Sequence, residues 1–176
     1  NNPCGAAQAD SLADAYIKAN LADRVAAFGG CIALNQAVDK ATAEAIVQQY
    51  AEVVVAADFE EGVMDIFASK PNLRVIGIRN IERLQNFVGQ RCVEFKSLID
   101  GGVIAQWSFV PVSRSKADLK PAACEYRNQT YQIERTPTEQ EYQDMLFGWL
   151  VESGITSNSV IYVKDRATVG IGTGEQ

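Results

Sequence analysis

The chain has 176 residues, 47% of them apolar and 22% charged, with a formal net charge of −6. That is enough chain for one soluble domain with its own core, and an acidic balance is wrong for a general nucleic-acid binder, which needs a basic stripe to displace phosphate counterions. No apolar run approaches the ~20 residues of a membrane span, and no charged-then-apolar signal segment opens the chain.

Residues 1–7 read as a turn, punctuated by Pro3 and Gly5. Leu12, Ala15, Tyr16 and Ala19 recur at helical spacing, with Asp10 or Ser11 as the cap. Ala26-Ala27-Phe28-Gly29-Gly30 is a small-residue turn leading into a short apolar strand, Cys31 to Leu34. Asp39 or Thr42 starts a helix through Ala45, Ile46, Gln49 and Tyr50. The β-branched run Val53-Val54-Val55-Ala56-Ala57 predicts a central strand. Glu60 to Ser69 reads as a helix stopped by Lys70-Pro71, and Leu73 to Ile78 as a strand.

The stretch up to Asn86 is ambiguous between loop and short helix. Cys92 to Lys96 alternates like a strand. A bend at Gly101-Gly102 then leads to another apolar run, and Ser113 to Gln129 reads as irregular. Thr136 or Thr138 caps a long helix, with Glu141 at the capping-box distance from Thr138. Tyr142, Met145, Leu146 and Trp149 are its apolar face. Ser159 to Lys164 and Ala167 to Gly172 read as a hairpin around Asp165-Arg166. Strands alternate with helices, then a helix precedes a hairpin, which predicts an α/β layered fold with a mixed sheet.

The chain has no histidine. A Ser-His-Asp triad and a His-Cys-Cys zinc site are therefore excluded within these residues. Cys4, Cys31, Cys92 and Cys124 form no C-x-x-C pair, so they are expected to be buried free thiols of a reducing compartment, with no metal site. Gly170, Gly172 and Gly174 lack the G-x-G-x-x-G spacing of a dinucleotide site. Glu60 and Glu61 read as helix-start acids favoured by the helix dipole rather than a catalytic pair. Trp107, Trp149 and the tyrosines read as packing rather than a base-stacking platform. Residue chemistry alone stops at an α/β domain with glycine-rich turns at strand ends.

Several segments, in this order, resemble the formyltransferase region of the bifunctional AICAR formyltransferase/IMP cyclohydrolase family. They are Asn2-Pro3-Cys4-Gly5-Ala6-Ala7, then Ala27-Phe28-Gly29-Gly30-Cys31-Ile32-Ala33-Leu34-Asn35, then Glu52-Val53-Val54. Lys70-Pro71-Asn72-Leu73-Arg74-Val75, Gly101-Gly102-Val103-Ile104-Ala105-Gln106 and Pro137-Thr138-Glu139-Gln140-Glu141 follow. Ser157-Asn158-Ser159-Val160-Ile161-Tyr162-Val163-Lys164 and the run from Thr168 to Gln176 complete the match across the chain. Ala105-Gln106-Trp107-Ser108, Glu175 and a short segment between Gly5 and Phe28 depart from the family pattern. These departures suggest a divergent branch and leave the formyl donor open between a folate and formate with ATP.

The resemblance implies a cytidine-deaminase-like three-layer α/β fold with a mixed β-sheet. It implies transfer of a formyl group from 10-formyltetrahydrofolate, the co-substrate, to the amine of AICAR, giving FAICAR in purine biosynthesis. A cytoplasmic homodimer is expected with it. Among site residues, Asn158 matches the family's catalytic amide, and Phe28, Gly29 and Glu52 match positions that bind the substrate. The three side-chain positions are expected to face one shared groove. Ser157 and Ser159 resemble residues near a potassium ion in some members, but Glu152 and Ile155 differ from that site's neighbours, so no metal is expected. The family's Lys-His pair precedes the Asn-Pro-Cys-Gly run and its Ser-Arg pair follows the residue matching Gln176. Residues 1–176 are therefore expected to be the central part of the formyltransferase domain, truncated at both ends and inactive alone. The competing readings are a purine-nucleotide-binding paralogue without catalysis and an isolated core fragment.

Overall fold

A computed structural model describes residues 2–174. Asn1 lies outside the described residues, as do Glu175 and Gln176 of the C-terminal motif. The first half is built from two βαβ units. Strands β1 (Gly30–Ala33), β2 (Ala51–Ala56) and β3 (Arg74–Gly77) form a parallel sheet in the order β1-β2-β3. Parallel neighbours need crossovers. These are α2 (Lys40–Val47) and α3 (Val63–Phe67), with α1 (Leu12–Ala22) ahead of β1.

The register pairs Ile32 with Val54 and Val54 with Val75. Side chains alternate along a strand, so these residues share one face with Ala56. Tyr16 of α1, Ala43 and Ile46 of α2, and Val63 and Phe67 of α3 close over that face. Each large apolar side chain buried there stabilises the fold by about 1.5–3 kcal/mol. The opposite face carries Cys31, Ala33 and Ile76, all exposed. The described helices of this half thus gather on one side of the sheet.

Helix starts follow their caps. The Ser11 hydroxyl accepts from Asp14 N at 3.1 Å, and Asp39 Oδ1 accepts from Thr42 N at 2.7 Å. Helix α3 is shorter than the 60–69 span predicted. Gly62 takes φ 85° immediately before Val63, so the helical backbone begins only after it. Glu60 and Glu61 precede the helix instead of forming its first turn.

From 78 to 136 the chain runs through a 3-10 helix at Ile81–Phe87 and two hairpins, and no residue of that stretch is buried. Strands β4 (Val93–Ser97) and β5 (Val103–Trp107) form one hairpin, β6 (Ala123–Tyr126) and β7 (Gln129–Gln132) the other. The second lies mostly within the segment expected to be irregular. Its turn residues Arg127 and Asn128 take φ of 51° and 60°, the backbone twist a two-residue hairpin loop needs. The expectation of buried thiols is corrected here. The cysteines are free, but Cys31, Cys92 and Cys124 are exposed and Cys4 is half-buried. The burying habit of cysteine presupposes a covering layer, which the open sheet face and the hairpin arm lack in this chain.

Helix α4 (Glu139–Glu152) carries the predicted capping box: Thr138 N donates to Glu141 Oε2 at 2.7 Å and Glu141 N to Thr138 Oγ1 at 3.3 Å. Its expected apolar face is only partly used, with Met145 43% and Trp149 48% exposed. The helix packs mainly on β8 (Val160–Lys164), which pairs with β9 (Ala167–Gly172). Asp144 of α4 accepts from the turn amides of Asp165 at 3.1 Å and Arg166 at 2.6 Å.

The segment predicted as an N-terminal turn continues as an extended stretch beside β9. Thr168 N donates to Ala6 O and Gln8 N to Arg166 O, both at 2.9 Å. The buried Thr168 hydroxyl accepts from Ala6 N at 3.0 Å. Gly5 allows this segment to lie on α1, since a β-carbon there would run into the carbonyl oxygen of Ala19. The α/β class predicted from sequence is present, with parallel and antiparallel pairings in separate sheets.

Candidate functional site

The Phe28-Gly29 turn enters β1 against Tyr50, which enters β2. Gly29 has φ 71°, and its N–H donates to Tyr50 O at 2.9 Å. A β-carbon at Gly29 would sit 3.3 Å from the Tyr50 ring. With no side chain there, Phe28 and Tyr50 come together, ring centroids 5.2 Å apart at a 42° tilt. Phe28 remains 70% exposed, which leaves an aromatic surface available to a flat ring.

Glu52, the second residue of β2, stands beside this pair. The Tyr50 hydroxyl donates to Glu52 Oε1 over a long 3.4 Å, and Arg74 Nη1 of β3 lies 3.8 Å from Oε2. Such an exposed ion pair is worth at most about 1 kcal/mol, so its effect is to orient the carboxylate. Tyr50, Glu52, Asn72 and Arg74 line a depression of about 340 Å³. The parallel register, Gly30 opposite Ala51 and Val53 opposite Arg74, gathers these residues at the strand starts.

A larger groove of about 1240 Å³ runs along β1, which lies at the sheet edge, and is walled by the N-terminal segment from Asn2 onward. Cys4, Tyr16, Phe28, Gly29, Asn35 and Tyr50 contribute to its lining. Burial pushes the Cys4 thiol up, and the charge of Asp23 adds to the rise. Cys4 therefore stays a protonated thiol at neutral pH, which is not the nucleophilic form.

Asn158 lies in the exposed loop between α4 and β8, after a cis Ser157–Asn158 peptide bond. On one side of it, Thr156 N and Oγ1 donate to Asn2 Oδ1 at 2.8 Å and 2.5 Å. On the other, the Ser159 hydroxyl donates to the Glu152 carboxylate of α4. The Asn158 amide itself makes no hydrogen bond among the described residues, and an unengaged amide can donate two protons and accept at its oxygen.

The structure brings Phe28, Gly29 and Glu52 together around Tyr50. It does not bring Asn158 into that group: no hydrogen bond, ion pair or ring contact joins them among the described residues. The connection is indirect. Asn2 lines the same groove as Phe28 and holds Thr156, two residues before Asn158. Tyr50, Arg74 and Asn2 were not singled out from sequence. Tyr50 stands two residues before Glu52, a strand-parity signal that could have found it. Arg74 and Asn2 depend on pairings visible only in the fold. Among the described residues no cluster of three or more His, Cys, Asp or Glu side chains is placed to hold a metal ion. No helix among them is long and apolar enough to cross a membrane.

Phe28 on the groove, Glu52 in the depression beside it and Tyr50 lining both give this α/β domain aromatic and polar groups of the kind a small-molecule site uses. The chain belongs to the AICARFT/IMPCHase bienzyme family, whose model matches residues 1–176. It is 37% identical over 175 residues to a bifunctional purine biosynthesis protein PurH of Clostridium perfringens, covering 99% of this chain and 31% of that protein. It is 40% identical over 174 residues to the protein of that name from Cereibacter sphaeroides, covering 99% of this chain and 30% of the relative. The Caldicellulosiruptor saccharolyticus protein is 33% identical over 177 residues. The chain thus spans about a third of the length of the curated relatives it matches.

Proposed function

We propose that this chain supplies part of the site for formyl transfer from 10-formyltetrahydrofolate to the 5-amino group of AICAR in purine biosynthesis. The observation that carries the reading is membership of the family along all 176 residues. In the reaction the amine nitrogen attacks the formyl carbon, a new C–N bond forms, and the bond to the folate nitrogen breaks. The amine proton leaves to a base and the folate nitrogen takes one up. The amine is a poor nucleophile because its lone pair delocalises into the imidazole and carboxamide. Positioning and stabilisation of the formyl oxyanion therefore carry much of the catalysis.

Asn158 is the residue assigned to that oxygen or to the substrate carboxamide, because a neutral amide can donate there without changing charge. The exposed Phe28 surface takes the flat base. Gly29 keeps that surface open, and Glu52, oriented by Tyr50 and Arg74, accepts from substrate donors. By the same family resemblance, the proton transfer is assigned to the family's Lys-His pair. A cytidine-deaminase-like arrangement, a homodimer and a cytoplasmic location belong to the same proposal.

The test is formyl transfer by a polypeptide of the relatives' full length carrying these residues. Asn158→Ala is expected to lower kcat by about 10²–10³-fold, the usual loss of one oxyanion donor. Unchanged turnover in that variant would remove Asn158 from the chemistry. AICAR binding without transfer by the unmodified protein would favour a nucleotide-binding paralogue.

A further inference from the structure

We propose that Asn2 is the positioning residue of the Asn158 loop, acting through Thr156. This rests on the reading of Asn158 as the amide that meets the substrate. At Asn2 the N-terminal segment meets two stretches from the other end of the chain. Its Oδ1 accepts from both the amide and the hydroxyl of Thr156, at 2.8 Å and 2.5 Å, and its Nδ2 lies 3.5 Å from Thr173 Oγ1 beyond β9.

Before the loop, Ile155 N donates to Glu152 O at 3.0 Å, which ends the α4 turn. The β8–β9 ladder begins only at Val160. Among the described residues, the amides of Thr156, Ser157 and Asn158 make no backbone–backbone hydrogen bond. Ser159 is held from the far side by Glu152. Beyond the Ile155 bond, Asn2 is the side-chain tether at Thr156 among the described residues, and a loop released there samples more orientations of its central residue.

The tether is itself held. Pro3 follows Asn2 and restricts it to extended backbone. A few residues on, Ala6 and Gln8 are bonded to β9. A side-chain amide suits the position, because one oxygen can accept two donors while the nitrogen donates onward. Asn2 also lines the large groove, so it connects the wall beside Phe28 to the loop bearing Asn158.

The experiment compares Asn2→Ala, Asn2→Asp and Asn158→Ala in the full-length polypeptide. It reads amide exchange at Thr156 and the steady-state constants for formyl transfer. Asn2→Ala is expected to speed exchange at Thr156 by about tenfold or more. It is also expected to lower kcat by about ten- to a hundredfold while changing the KM for the amine substrate little. Asn2→Asp keeps the acceptor and is expected to restore both readouts to within a few-fold of the unmodified protein. Unchanged exchange at Thr156 in Asn2→Ala overturns the tether. Unchanged kcat in Asn2→Ala, with Asn158→Ala impaired, overturns the positioning role while leaving the Asn158 reading intact. Equal losses in the Ala and Asp variants, with a lowered Tm, would mark a merely structural residue and also overturn it. Full activity of Asn158→Ala would overturn the site reading and the positioning role together.

Discussion

At the scale of single residues, Gly29 is the position where backbone and site depend on each other most directly. Its φ of 71° is left-handed, and a β-carbon would press on the Tyr50 ring at 3.3 Å. Gly29→Ala is expected to cost about 1–2 kcal/mol from the left-handed backbone alone, measured by urea unfolding. It should also push Tyr50 away from Phe28 and weaken AICAR binding in the full-length protein, measured by calorimetry. Stability and binding both equal to the unmodified protein would mean that neither the turn nor the ring pair matters. The Phe28-Gly29 turn was legible in sequence, because a glycine pair after small residues marks a turn on its own. Its partner was not, because Tyr50 comes beside it through a strand pairing that no local pattern records.

At the scale of elements, the start of α4 is a charge-assisted cap. Arg135 donates to both Glu141 oxygens, at 2.8 Å and 2.6 Å, and Thr138 N to one of them at 2.7 Å. Arg135 foremost, with the Thr138 donors, holds the Glu141 carboxyl down from 4.5 to about 2. A depressed carboxyl favours the folded state above its unfolded value and loses that effect as pH falls through its folded value. The cap should therefore be fully effective above pH 4.5 and fade as pH falls towards about 2. Thermal melts followed by circular dichroism across that window should show a steeper acid limb for the unmodified chain than for Glu141→Gln. Parallel acid limbs would show that the cap does not stabilise α4. Thr138 and Glu141 announce this helix at capping-box spacing, whereas the late start of α3 follows from the φ of 85° that Gly62 adopts. The β6–β7 hairpin escaped the sequence reading because Arg127-Asn128 carries none of the usual Asn-Gly turn signal.

At the scale of the whole molecule, burial is uneven. The parallel sheet and its three helices hold the core, while no residue from 78 to 136 is fully buried. In the β4–β5 hairpin, Val93 lies opposite Trp107 and Phe95 opposite Ala105, so one face is apolar. Phe95 is 73% and Trp107 64% exposed on it. An isolated two-stranded hairpin is at best marginally stable, and exposed apolar patches promote association. The 176-residue chain by itself should therefore associate as its concentration rises, measured by sedimentation velocity. Phe95→Ser with Trp107→Ser should shift it towards monomer. A monodisperse unmodified chain at high concentration would contradict this.

The sequence by itself determined the α/β class, most strand and helix positions, the capping box of α4 and the family. Those properties are carried by local periodicity, capping chemistry and motifs that survive without knowledge of the fold. Only the tertiary structure decided that Tyr50 and Arg74 stand beside Phe28 and Glu52, that Asn2 ties down Thr156, and that three cysteines are exposed. These depend on strand register, on contacts between residues more than a hundred positions apart, and on which faces the packing leaves uncovered, none of which is encoded in any short stretch of chain.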